Sequence, residues 1–253
     1  MKKTYLSILV VAITVLLSCE KETPPPFPPI ATVTTTNLSI TFNNTVNGKT
    51  ISSSDTNYRN AAGNLYSINI LKYYVTNMVL VDENNKEWFA KNYNLINIDE
   101  PTQNTFILSG VPNTKYTKMK FMLGVDSLRN LTGVQDGFLD PSYGMLWDWN
   151  TGYIFFKHEG NYKNTINELK PLRLHLGKDL GRGNVEVNLP MVNINGSLSK
   201  LFIDFDLNKV YSAQNIIDFN IDNDRQSTSA ADTSWMSSMR RNLEKSFTFS
   251  KAE

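Results

Sequence analysis

Cysteine and histidine are nearly absent from this 253-residue chain: Cys19 is the sole cysteine, and His158 and His175 are the only histidines. A single thiol excludes disulfides, zinc knuckles and cysteine catalysis. Charge of one sign is lacking too, since 25 Lys and Arg against 24 Asp and Glu leave a net +1. That balance gives no electrostatic footprint for nucleic acid, and no block of like charge marks a charged-tail partner. Also missing are Gly-x-Ser-x-Gly, His-Glu-x-x-His and a phosphate-cradling glycine loop. Hydrolysis and phosphoryl transfer are therefore disfavoured, and the chain reads as a non-enzyme.

An almost uninterrupted apolar run, residues 5–17, follows Lys2 and Lys3. It is too short and wrongly flanked for a spanning helix and reads as a signal peptide over residues 1–18. The run ends in Leu16-Leu17-Ser18-Cys19, which resembles the lipobox of bacterial lipoproteins, where a small residue admits the signal peptidase and the cysteine carries diacylglycerol. The alternative, an ordinary cleaved signal, must place the chain's only cysteine at the cut by accident. Lipidation of Cys19 is therefore expected, making the protein an outer-membrane lipoprotein on the periplasmic or cell-surface side. Residues 19–32 form the anchor and a stalk, because Pro24-Pro25-Pro26-Phe27-Pro28-Pro29 favours extended polyproline II. Glu20 and Glu22 beside the lipid resemble the tag that sends some lipoproteins to the outer face.

No second linker interrupts residues 33–253, which are expected to form a single domain. Apolar and polar residues alternate in Leu38-Ser39-Ile40-Thr41-Phe42 and Met119-Lys120-Phe121-Met122-Leu123, the signature of half-buried strands. Further strands are predicted at 68–81, 105–108, 153–158, 172–176, 185–189 and 201–207, separated by turn-rich pieces such as Asn84-Asn85. Strands without intervening helical patterns predict a mainly β fold, an antiparallel β-sandwich or barrel, not a parallel α/β sheet. Trp235, Met239, Leu243 and Phe247 fall four apart, predicting a short C-terminal amphipathic helix that caps the sheet. Residues 218–229 are polar and predict an irregular surface loop.

Residues 124–160 depart from this pattern. Glycines, Pro141, Trp147 and Trp149 crowd one long connection between strands, and connections this long tend to be functional. Two residues apart, the indoles share a face if the backbone is extended. They either plug the open end of the sandwich or present an oxidisable, ligand-facing ring. Asp126, Asp136, Asp140 and Asp148 are either solvated loop acids or oxygen ligands for a cation such as calcium, with Asp126 and Asp140 the candidate ligands; the spacing matches no EF-hand. In Leu172-Arg173-Leu174-His175-Leu176 the leucines alternate inward and turn His175 to the other face. His158 ends the strand after the tryptophans. If the two strands pair, convergence of His158 and His175 would make a copper-type site; the alternative is two separate histidines.

Gly124-Val125-Asp126, Leu139-Asp140-Pro141, Gly144-Met145-x-Trp147-x-Trp149-Asn150-x-Gly152-Tyr153 and Leu174-His175-Leu176-Gly177 together resemble the MbnP-like family of periplasmic copper-binding proteins. The strand Leu71-Lys72-Tyr73-Tyr74-Val75-Thr76-Asn77-Met78-Val79-Leu80 is similar to that family's early strand. The resemblance implies a β-rich domain that binds copper through histidine and a tryptophan oxidised to kynurenine by a partner di-haem peroxidase. It implicates His175 as a ligand and Trp147 or Trp149 as the oxidised indole, with His158 a further candidate. Function is thus expected to be copper binding or acquisition in the cell envelope, with a di-haem peroxidase or a TonB-type receptor as partner. The competing expectation is a surface recognition module whose aromatic loop binds a glycan or a protein.

Overall fold

Alternation turns into pairing wherever a half-buried strand meets a neighbour, and most of this chain does so. The computed structural model describes residues 33–52, 55, 57–147 and 152–253, with Val33–Glu253 forming one compact unit. Cys19, the stalk and Trp149 lie outside the described residues. Strands β1 (Thr35–Val46), β2 (Lys49–Thr50), β3 (Tyr58–Arg59), β4 (Leu65–Tyr66), β5 (Ile70–Asp82) and β6 (Glu87–Asn97) lead to β7 (Thr105–Pro112) and β8 (Lys115–Leu123). After the tryptophan-bearing connection come β9 (Ile154–Lys163), β10 (Leu169–Gly177), β11 (Gly183–Asn193) and β12 (Lys200–Asp206), then β13 (Asp224–Arg225) and β14 (Phe247–Ala252). The helices α1 (Ser127–Asn130), α2 (Lys178–Gly181) and α3 (Leu207–Val210) are single turns, and α4 (Thr233–Leu243) is longer.

One sheet runs β14-β12-β1-β2, with β7 also on β1; the other runs β11-β8-β5-β9-β10-β13, with β6 on β5 and the β3–β4 ribbon joined to β9. The fold is mainly β, as the alternation predicts, and its pairs are antiparallel except β1 with β12 and β10 with β13. Alternating residues of both sheets meet in one core, where Phe42 packs edge-on against Tyr73, Phe121 and Phe247 with ring centroids 5.6–6.5 Å apart. That cluster also explains a departure from expectation. Trp235, Met239 and Leu243 are buried on α4, but the helix ends at Leu243 and Phe247 opens β14 opposite Phe205. Burying an aromatic ring in the core outweighs one more turn of helix.

The larger sheet is apolar on both faces. Tyr73, Ile96 and Phe156 join the core between the sheets, while Tyr74, Leu95 and Phe155 join a second core on the outer face with Val125, Leu139, Met145 and Trp147. β6 occupies one edge of β5 over Lys72–Val81, so β8 (along Val75–Asp82) and β9 (along Ile70–Tyr73) share the other edge in succession. Where β8 gives way to β9, the chain leaves the sheet and folds back over the outer face. Gly124 makes the exit: it has φ +111°, its N–H donates to the Tyr74 carbonyl at 3.1 Å, and a Cβ there would sit 2.6 Å from the Phe155 ring.

Truncating Phe42 to alanine should cost about 3–5 kcal/mol by opening a cavity among four aromatic rings. Urea unfolding of wild type and Phe42→Ala checks this, and a loss below about 1 kcal/mol would contradict the packing.

Candidate functional site

The antiparallel register of β9 on β10 places Leu174 opposite His158, His175 opposite Lys157 and Arg173 opposite Glu159. Partners across a ladder share a face and sequence neighbours do not. His158 therefore points into the core between the sheets and His175 out of the other side. The strands do pair, as the convergence reading requires, but the two imidazoles do not meet.

His158 is fully buried, with Nδ1 2.5 Å from the Tyr211 hydroxyl, Nε2 3.3 Å from the Ser67 carbonyl, and the Tyr66 ring edge-on at 5.8 Å. Burial pushes its pKa down to about 4, against the smaller upward pull of the Ser67 carbonyl and Glu159. With both ring nitrogens engaged inside the core, this imidazole is a structural element.

On the outer face, His175 Nε2 lies 2.7 Å from Glu159 Oε1, and Lys157 Nζ reaches the same oxygen at 3.3 Å. Burial lowers the His175 pKa, with the Lys157 and Arg173 charges adding to the effect and Glu159 opposing it. Burial alone would raise the Glu159 pKa, but the contacts from His175 and Lys157 hold it below the usual carboxylate range. The pair at neutral pH is thus a neutral imidazole donating to a carboxylate, the protonation states from which metals are ligated. Ser227 fixes the strand behind it, donating to the His175 carbonyl at 2.9 Å and accepting from the Gly177 N–H at 3.1 Å.

Trp147 covers the same face. Residues 175 and 177 of β10 point the same way, and a Cβ on Gly177 would sit 2.2 Å from Cη2 of Trp147, so the indole occupies the place of a side chain two residues from His175. Trp147 is 5 % exposed, and its Nε1 has no hydrogen-bond partner among the described residues. Trp235 shares that property inside the α4 core, so it is Trp147's place over Gly177, two residues along β10 from His175, that sets it apart. The segment before it is held by two lysines at paired positions of β5 and β9: Lys72 donates to the Tyr143 carbonyl at 3.1 Å and Lys157 to the Gly144 carbonyl at 3.2 Å.

Asp126 and Asp140 serve the connection itself. Asp126 caps α1 through the Arg129 N–H and accepts the Tyr93 hydroxyl, and Asp140 caps the 3-10 turn Pro141–Tyr143 through the Ser142 N–H at 2.8 Å. Burial opposes the lowering of the Asp126 pKa, and those hydrogen bonds outweigh it. Among the described residues, no group of three or more His, Cys, Asp and Glu is arranged to hold a metal ion. Sequence patterns assigned no site role to Glu159 or Lys157, and Lys72 and Gly177 entered only within motifs. The signal was present in Lys157-His158-Glu159, where a period of two puts both charged residues on the face opposite His158.

A two-sheet domain whose long connection folds over one outer face, with a histidine–carboxylate pair beside a buried indole, defines the class. The MbnP family model matches residues 35–233, most of the chain, and the protein belongs to that family. Among solved structures, MbnP from Methylosinus trichosporium is similar, with a TM-score of 0.52 and 16% identity over 73% of this chain and 80% of that one. At that identity the likeness is one of fold. No curated protein matches the sequence.

Two outcomes are expected. Gly177→Ala should expel the Trp147 ring, shifting tryptophan emission to the red; unchanged emission would contradict the packing. For His158 the folded pKa lies below the unfolded value, so its contribution is complete above pH 6.5 and is lost as pH falls toward about 4. Denaturant unfolding should show the advantage of wild type over His158→Gln shrinking by on the order of 3 kcal/mol across that range. A constant difference would contradict the burial.

Proposed function

We propose that this protein is a non-enzymatic copper-handling lipoprotein of the cell envelope, exported and anchored through Cys19, that binds copper at His175. The observation that carries the reading is the His175 imidazole hydrogen-bonded to Glu159 at 2.7 Å, on the face where the Trp147 ring lies over Gly177. Two donors suited to copper are present, an imidazole nitrogen and a carboxylate oxygen, and the Trp147 indole, which is no ligand itself, has a buried N–H without a partner among the described residues. His175 and Glu159 would hold the ion, the Nε2 proton that His175 now donates to Glu159 being released to solvent on binding, and Trp147 or Trp149 would be the ring oxidised by a partner di-haem peroxidase, kynurenine adding an aromatic amine and a carbonyl. Bound copper would supply a soft, redox-active centre; the residues around it orient the imidazole and limit access of water.

A di-haem peroxidase or a TonB-type receptor would be the partner at the site. A recognition role is the second reading, favoured by Leu128, Leu131 and Val134, which are 65–78% exposed on the same connection.

Copper titration separates the two. Wild type and His158→Gln should bind one equivalent and His175→Ala should not; equally weak binding by all three would favour recognition. Mass spectrometry of natively exported protein should show a gain of about 4 Da on the peptide holding Trp147 and Trp149. An unmodified peptide from copper-replete cells with the peroxidase present would count against the oxidation.

A further inference from the structure

Two contacts of Lys157 and one of His175 form a continuous chain from the site to the tryptophan segment. Its ammonium donates to the Gly144 carbonyl at 3.2 Å and lies 3.3 Å from Glu159 Oε1, the oxygen that also accepts from His175 at 2.7 Å. The Lys157 side chain is only 16% exposed, so these contacts are shielded from bulk water. Gly144 itself stands at φ +67°, closing the turn Pro141–Tyr143 three residues before Trp147. Lys72, one strand over, donates to the neighbouring Tyr143 carbonyl, and Glu159 acts on it only through its charge.

We propose that Lys157 is the affinity-setting and positioning residue of the site: it is the resident cation of Glu159, and a metal taking that carboxylate must displace it. Lys157 thereby ties the charge on Glu159 to the placement of the segment that carries Trp147. Two cations on one carboxylate oxygen repel, so copper at Glu159 weakens the hold of Lys157, and the Gly144 tether loosens with it. The metal half of this inference rests on the proposed copper site; the tether half does not.

The tether is tested on the metal-free exported chain by hydrogen exchange at the Trp147 amide, which donates to the Gly152 carbonyl at 3.3 Å. Lys157→Met should speed exchange about tenfold, as expected for losing a charge-assisted hydrogen bond. Glu159→Gln should speed it in the wild-type background and have no further effect in Lys157→Met, whereas its effect should persist in Lys72→Met. A Glu159→Gln effect of equal size in the Lys157→Met background, or no effect in wild type, would overturn the coupling. Chelator competition then gives the metal half, with Lys157→Met expected to hold copper at least about tenfold tighter than wild type once the competing charge is gone. Equal affinity would overturn the resident-cation assignment. Absence of copper binding in wild type alongside intact exchange coupling would remove the copper site and leave the tether standing.

Discussion

The register of β9 on β10 is the constraint on which the rest of this structure depends. With Leu174 opposite His158 and His175 opposite Lys157, the ladder commits His158 to the interior and His175, Lys157 and Glu159 to the outer face. A one-residue slip of β10 would turn Arg173 and His175 inward and expose Leu172, Leu174 and Leu176, which are fully buried. The hydrophobic pattern of β10 forbids that slip. It thus fixes at once which histidine packs between the sheets and which joins Glu159 and Lys157 on the outer face.

A sheet apolar on both faces needs a second cover, and here the cover is also the site. Tyr74, Leu95 and Phe155 would face water without the connection that brings Val125, Leu139, Met145 and Trp147 onto them. Glycines set how closely the layers approach: a Cβ at Gly160 would sit 2.1 Å from the Ser67 carbonyl, and one at Gly177 would collide with Trp147. The Trp147 indole belongs to this small core, so a change in its ring would be felt as a packing change against Gly177 and β10.

Much of the fold was legible because strand period and burial agree. Alternation in residues 38–42 and 119–123 located β1 and β8, and the stripe of Trp235, Met239 and Leu243 located α4. Less legible was β6, whose Glu87–Asn97 mixes charged and apolar residues, because it lies at the edge of the sheet. Pairing partners were not readable at all, so the parallel β1–β12 contact and the separation of the two histidines emerge only from tertiary register. The site was half legible. His175 and Trp147 stood out as rare residue types, whereas Lys157 and Glu159 are common ones whose meaning depends on what lies across the ladder.

Copper held at His175 would have a single imidazole ligand, because His158 is engaged in the core at both ring nitrogens. Copper K-edge absorption on the protein loaded with one equivalent tests this directly. The spectrum should carry the outer-shell scattering of one imidazole, lost in His175→Ala and kept in His158→Gln; scattering that requires two imidazoles, or that depends on His158, would contradict the assignment.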